Sequence, residues 1–345
     1  MQLLEVTSAE YSNAIHPALC FNKPEFNELN KTKVEKIRYF LFKDSKIRFG
    51  LCVGQRGNQF LCPFSAPFGT FVNAKEKWDI NQLEEAIIAF DKFAAENKLD
   101  VDFILPPEFY APEIVGTMQN VLWRQGYDYS NVELNFQLDL HRVHTPGYRE
   151  LLPHNGRKNL AIALESGCTL RHCESIEEKK RAYEIIAINR QSRGYPLNMT
   201  WEQVKDTIAI IEHDMFIVNH GNEEIAAALV YHISDKILEV IYWGDKPGFA
   251  ELKPINFLSY NLIQYYGGRG FEYLDIGIST DHSIINYGLA DFKRSIGCGI
   301  STKMSFVKKS VDIQCSENIS GTVASGTFSH NEKYLKNHGG GTDVE

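Results

Sequence analysis

Seven cysteines (Cys20, Cys52, Cys62, Cys168, Cys173, Cys298 and Cys315) are odd in number, scattered and never in C-x-x-C spacing. That usage argues against a disulfide framework and a zinc knuckle and fits a reducing compartment, so a cytoplasmic location is expected. No run reaches the 18 apolar residues of a membrane span, and the opening MQLLEVTSAEYS lacks a basic segment followed by an apolar one. The phosphate loop G-x-x-x-x-G-K-[ST], the dinucleotide turn G-x-G-x-x-G and the hydrolase elbow G-x-S-x-G are all missing, which removes the usual nucleotide-loop and hydrolase readings. Net positive charge is missing too. A formal charge of -8 argues against a chain that coats DNA or RNA, although a local basic groove is compatible with it. His213, His220 and His232 surround a hairpin without i, i+4 spacing or a neighbouring cysteine cluster, so no metal site is expected.

What remains is an ordinary globular composition, 43% hydrophobic and 23% charged with 21 Phe and 16 Tyr, and 345 residues are enough for two domains. Alternation over Val132 to Leu140 gives way to HRVHTPGYRELLPHNGR at 141–157, the clearest boundary. Domains at 1–145 and 146–310 follow, with a loose polar tail at 311–345. In the first half, KIRYFLFKD and IRFGLCVGQRGNQFLCPF read as strands broken by a hairpin. A helix at 81–96, the strand DVDFILP, a helix at 111–125 and the strand ending LNFQLDL come next. The second half repeats that order: helices at 176–192 and 200–212, the hairpin MFIVNHGNEEIAAALVYHI, strand ILEVIYW, helix 254–266, strand YLDIGIS, helix 287–296 and strand TKMSFV. Thr200 and Gln203 form a capping box. Asp102 and Asp275 take equivalent strand positions, and Gly126 and Gly297 both stop a helix before the last strand. An internal duplication accounts for this, as does common helix–Gly–strand punctuation. Under duplication, Lys293 aligns with Leu122.

In NYGLADFKRSIGCG (286–299), Leu289, Phe292 and Ile296 define one helix face and Lys293 falls about 70° from its centre. Two readings stand: a snorkelling side chain whose ammonium reaches water, or a fixed cation at a cleft that steadies a carboxylate, phosphate or oxyanion. Asp275 stands among Tyr273, Leu274, Ile276 and Ile278, and Gly277 beside it leaves room for close approach. A carboxylate there needs a partner or water, and a structural amide or arginine serves as well as a ligand. Glu239 shares a strand face with Ile241 and Trp243 and is either a general base or the lining of an exposed edge.

RKNLAIALESGCTLR, the stretch Arg190 to Trp201, EEIAAALVYHI, LKPINFLSYNLIQYYGGRGFEYLDIGIST and NYGLADFKRSIGCG, in that order and with APFGTF in the first half, resemble the FemAB-like branch of the GNAT (acyl-CoA N-acyltransferase) superfamily. The resemblance covers roughly residues 30 to 308. It implies an α/β fold of two tandem GNAT-like domains with mixed sheets, and transfer of an acyl or aminoacyl group to an amine. The best-known members add amino acids from aminoacyl-tRNA to peptidoglycan precursors. It further implies that Lys293 is the lysine of an "FK" motif at the transfer site, with Glu239 and Asp275 as the other catalytic candidates. Arg157, Lys158, Tyr242, Lys246, Gly248, Gly277, Ser279, Asn286 and Gly288 form the expected substrate-binding set. A splayed strand would supply backbone N–H donors for the oxyanion. The usual pyrophosphate loop is replaced by DKPGFAELKP, where Lys246, Gly248 and the next helix start are the residues left to cradle phosphates. The expectation is an acyltransferase without a tightly bound cofactor, monomeric or weakly dimeric. Acyl-CoA stands ahead of aminoacyl-tRNA as donor, and a sugar, cell-wall precursor or small molecule carries the acceptor amine. A non-catalytic scaffold on the same fold is the other class.

Overall fold

Gly126 and Gly297 end their helices with φ of 80° and 91°, a left-handed conformation that only glycine adopts cheaply. Each is followed at once by a long strand, and these two strands organise the protein. The computed structural model describes residues 1–310, so the tail expected to be loose lies outside the described residues.

The strands of the first half are β1 (Gln2–Val6), β2 (Lys36–Lys43), β3 (Ile47–Arg56), β4 (Gln59–Cys62), β5 (Val72–Asn73), β6 (Asp100–Ile104) and β7 (Asp128–Asp139). Its helices are α1 (Ser8–Ala14), α2 (Pro24–Leu29), α3 (Ile80–Glu96) and α4 (Pro112–Arg124). Three helices occupy the boundary region: α5 (Leu140–Val143), α6 (Tyr148–Leu151) and α7 (His154–Glu165). The second half has β8 (Cys168–His172), α8 (Ile176–Ser192), α9 (Trp201–Ile208), β9 (His213–His220), β10 (Glu223–His232), β11 (Ile237–Asp245) and α10 (Pro254–Tyr266). After these come β12 (Tyr273–Ile278), the small hairpin β13 (Thr280–Asp281) and β14 (Ile284–Ile285), α11 (Tyr287–Ser295) and β15 (Gly299–Lys308).

Local chemistry explains the helix starts. Asp79 with Gln82, Ser175 with Glu178 and Thr200 with Gln203 make capping boxes on α3, α8 and α9, while Pro112 and Pro254 open α4 and α10. The helix expected at 200–212 stops at Ile208, where Ile210 and Ile211 both turn back to the Thr207 carbonyl before β9. The region expected to be a boundary loop is largely helical, because Val143, Tyr148 and Leu152 are buried in the second core and anchor it.

Strand order is β1-β2-β3-β4-β6-β15-β7-β12-β11-β10-β9-β8, with β5 beside β3. Read from either end, the order is the same: an antiparallel run, one parallel pair (β4–β6 or β11–β12), then an antiparallel neighbour. The two last strands have changed places. β15 lies against β6 of the first half, β7 lies against β12 of the second, and β7 pairs with β15 to weld both halves into one sheet. Helices cover both faces. Ile225 to Tyr231 of β10 are all buried, as expected for a strand packed on two sides. One core joins β10, α7 and α10; another joins the reverse face of β10, α8 and α9 to Phe21, Phe26, Phe68 and Tyr110 of the first half.

Candidate functional site

β11 and β12 run parallel and in register from Ile237↔Tyr273 to Glu239↔Asp275, and no pairing continues beyond that point. β11 gains one extra residue, Ile241, because Val240 faces Val230 while Tyr242 faces Leu229. β12 loses register with β7 between Asp275 and Gly277. Two irregularities on adjacent strands thus open the sheet at one level, which frees backbone groups there.

Asp275 is 2% exposed and would be costly without partners. It has three: Tyr110 Oη donates to Oδ2 at 2.7 Å, and Asn135 Nδ2 and the Gly277 amide donate to Oδ1 at 2.8 and 2.7 Å. The last bond folds the chain back on itself, which sets Gly277 at φ 77°. A Cβ there would meet nothing within 4 Å, so the demand for glycine is conformational. The turn delivers the Gly277 and Ile278 carbonyls to Lys293 Nζ, at 2.9 and 2.7 Å.

Lys293 is 2% exposed, and its ammonium also lies 5.4 Å from the centre of the Phe136 ring. The snorkelling reading is therefore overturned: the ammonium turns inward, and burial pushes its pKa down to about 8. The expected helix face is corrected as well. Ala290, Lys293 and Ile296 are buried while Leu289 is 37% exposed, because α11 is rotated to set Lys293 over the β12 turn. Phe136 and Asn135 alternate on β7, so Lys293 and Asp275 approach the turn from opposite faces.

On the Asp275 face, Tyr231, Glu239, Asp275 and Gln137 stand opposite one another across four strands. Glu239 keeps part of its surface accessible, but its Oε2 is shut off from solvent and has no hydrogen-bond partner. Burial and the Asp275 charge push its pKa up to about 8. Burial raises Asp275 also, against the pull of its three donors. The donors identify Asp275 as the member that holds charge and Glu239 as the one that holds a proton. Lys303 of β15 completes this face; burial lowers its pKa, and Glu239, Asp275 and Glu133 oppose that.

The structure brings Lys293, Glu239, Asp275 and Gly277 together. Ser279 adjoins them, 1% exposed with an unpartnered Oγ. Tyr242 lies next to the β11 bulge under the Arg190 guanidinium. Asn286 caps α11 through its side chain, which accepts from Leu289 N at 3.0 Å, and Gly288 is exposed on the first turn. Arg157 and Lys158 are exposed on α7, where Arg157 donates to the Leu152 carbonyl. Lys246, past the far end of β11, lines an open depression of about 680 Å³ with Arg171, Arg181 and Glu224, and Gly248 forms an exposed turn at φ 95°. Among the described residues no group of three or more His, Cys, Asp or Glu is placed to hold a metal ion, and no helix is long and apolar enough to cross a membrane. Tyr110, Asn135 and Lys303 escape sequence reasoning. The alternation Ser301, Lys303, Ser305 in a central strand was the one readable signal; nothing ties Tyr110 to a carboxylate 165 residues away.

No family model and no curated protein matches the sequence. Solved structures do. FemX aligns with a TM-score of 0.60 at 12% identity, over 89% of this chain and 97% of its own. The C-terminal domain of a protein described as a lysylphosphatidylglycerol synthetase from Agrobacterium fabrum aligns at 0.57 and 11%, over 87% and 92%. L-PGS from Bacillus licheniformis aligns at 0.55 and 12%, over 89% and 92%. At such identities the likeness is one of fold: two like halves, each with one parallel pair and welded through exchanged last strands, make a tandem GNAT-like fold similar to that of FemX.

Proposed function

We propose that the protein transfers an acyl or aminoacyl group from an activated carrier to an amine, in the gap between β11 and β12. The observation that carries this reading is the parting of the two strands immediately beyond the Glu239–Asp275 pair. An amine attacking an ester or thioester carbonyl must shed a proton, and the leaving oxygen or sulfur must gain one. Glu239, which holds a proton at rest with a pKa near 8, is suited to give that proton to the leaving oxygen or sulfur and to regain one from the amine. Asp275 fixes its charge beside it. Backbone N–H groups at the Ile241 bulge supply donors for the oxyanion, and Lys293 holds the turn that keeps the gap open.

Two carriers fit this chemistry, acyl-CoA and aminoacyl-tRNA. α10 begins with Pro254, which removes one N–H from the helix start that would cradle the CoA diphosphate. The name of one neighbouring structure says that it attaches a lysyl group to a phospholipid. The first observation weighs against CoA and the second supports an aminoacyl group and a lipid acceptor; the net charge of -8 weighs against a tRNA carrier. A scaffold reading also has an observation in its favour, since the Lys293 ammonium is already bonded to two carbonyls. Incubating the full chain with labelled aminoacyl-tRNAs and acyl-CoAs beside a panel of amines decides. Transfer is expected, falling about a hundredfold or more in Glu239→Gln; no transfer from either carrier rejects the enzyme reading.

A further inference from the structure

β15 carries Ser301 and Lys303 onto the Asp275 face, where Ser301 stands opposite Asn135 and Lys303 opposite Glu133. Ser301 Oγ donates to the Gln137 side chain at 2.9 Å. On β7, Gln137 pairs with Asp275 and Asn135 with Ile278, so Lys303 lies further along, at the level where β12 has already left β11. Two strand spacings, about 10 Å, separate β15 from β12, and the flexible stem of a lysine crosses much of that distance.

Two other inward-turned lysines are held in place. Lys293 donates to two carbonyls, and Lys308 donates to the Asp91 carboxylate and the Gln125 carbonyl at 2.8 and 2.7 Å. Nothing among the described residues holds the half-buried Lys303 in this way; Glu239, Asp275 and Glu133 act on it as charges, without a hydrogen bond. Each of those groups is committed elsewhere. Asp275 has its three donors, Glu239 keeps a proton, and both oxygens of Glu133 accept from the Ser283 amide at 3.2 and 3.3 Å. Burial lowers the Lys303 pKa more than the three charges raise it. The side chain is thus a primary amine without a fixed partner, beside the gap between β11 and β12.

We propose that Lys303 is itself an acceptor: the protein acylates the Lys303 Nζ from an activated acyl donor, an ester or thioester seated in the gap. The neutral amine attacks the carbonyl carbon, so a C–N bond forms and the C–O or C–S bond breaks. The electron pair leaves with the oxygen or sulfur, which takes the proton held by Glu239, and Glu239 regains the proton that the nitrogen sheds. The products are an amide on Lys303 and a free hydroxyl or thiol. Acylation removes the Lys303 charge, so the step modifies its own site and limits itself. It rests on the gap being the transfer site, and it adds an internal amine to the external ones.

Incubating the full-length protein with acetyl-CoA in one arm and aminoacyl-tRNAs in the other, without added amine, tests it by intact mass and peptide mapping. Transfer to external amines is measured in parallel. One acyl group per chain is expected, mapped to Lys303, lost in Lys303→Arg and slowed about a hundredfold in Glu239→Gln. It should survive in Lys309→Arg, an exposed lysine just past β15 that pairs with Asp100. Should Lys303→Arg fail to fold, Lys303→Gln takes its place, and the arm that labels identifies the donor. Labelling that persists without Lys303, or that runs as fast in Glu239→Gln as in the native chain, overturns the proposal. Unlabelled protein that still transfers to external amines overturns it too and leaves the acyl-transfer reading standing. Labelling with no external transfer keeps the self-acylation and rejects the external acceptor; absence of both removes both.

Discussion

The two halves build the same splay position from different residues. In the first, β4 and β6 stay paired from Gln59↔Asp100 through Cys62↔Phe103; in the second, pairing ends at Glu239↔Asp275. Sheet position sets Leu61 against Glu239, Ile104 against Gly277 and Leu122 against Lys293. Asp102 matches Asp275, but one of its oxygens is buried without a partner, whereas Asp275 has three donors. The first half thus carries its parallel pair one step further, with Leu61 and Ile104 where the second half, which parts at once, has Glu239 and Gly277. Opening needs the whole set at once: the carboxylate, the glycine that turns back on it, and the lysine that collects the released carbonyls.

Exchanging the lysine and leucine should break this comparison most sharply. Leu122→Lys places an ammonium at a fully buried site with no turned carbonyls to receive it, and should destabilise by about 4 kcal/mol or more. Lys293→Leu leaves two carbonyls without their donor and should cost about 2 kcal/mol while lowering transfer. Urea unfolding of both variants gives the difference. Equal losses would mean that the two positions are not equivalent. The paired aspartates come next. Asp275→Ala strands three donors and should cost about 3 kcal/mol, whereas Asp102→Ala, which deletes an unpartnered buried oxygen, should stay within about 1 kcal/mol of the native chain.

Much of this difference could be read from the chain, and some could not. The Thr200–Gln203 capping box fixed the start of α9, glycines fixed the stops of α4 and α11, and the Leu122–Lys293 contrast followed from counting back from those glycines. The exchange of β7 and β15 left no local trace, since a strand's sequence records how deeply it is buried and not which half it joins. Tyr110 stayed hidden for the same reason: its partner lies in the other half. Periodicity misplaced the α11 stripe because it scores a lysine as polar. Two backbone carbonyls and an aromatic face made that lysine a core residue.

Smaller effects test whether Glu239 or its neighbour holds the proton. The folded-state pKa of Glu239, about 8, lies above its ordinary 4.5, so the folded chain keeps a proton that the unfolded chain releases between those values. That contribution to stability is complete below about pH 4.5 and fades as pH rises through about 8. Glu239→Gln should flatten the decline by on the order of 2 kcal/mol, read from urea midpoints at pH 5 and pH 8. Leu61→Gln at the matching first-half position should leave the slope unchanged. An unaltered slope in Glu239→Gln would assign the proton to Asp275.

The smallest expected change isolates the turn itself. Gly277→Ala adds a methyl into open space, so its cost is purely that of holding φ 77° with a side chain, about 1 kcal/mol. Ile104→Ala, where the first half has ordinary strand backbone, costs packing instead and touches no turn. If the glycine only relieves strain, Gly277→Ala should lose stability and keep transfer. If the turn sets the gap, transfer should fall well beyond the roughly fivefold that 1 kcal/mol could explain, because the Gly277 and Ile278 carbonyls would no longer meet Lys293 together. Comparing the rate ratio with the stability loss in one variant separates a turn that is merely tolerated from one that holds the site open.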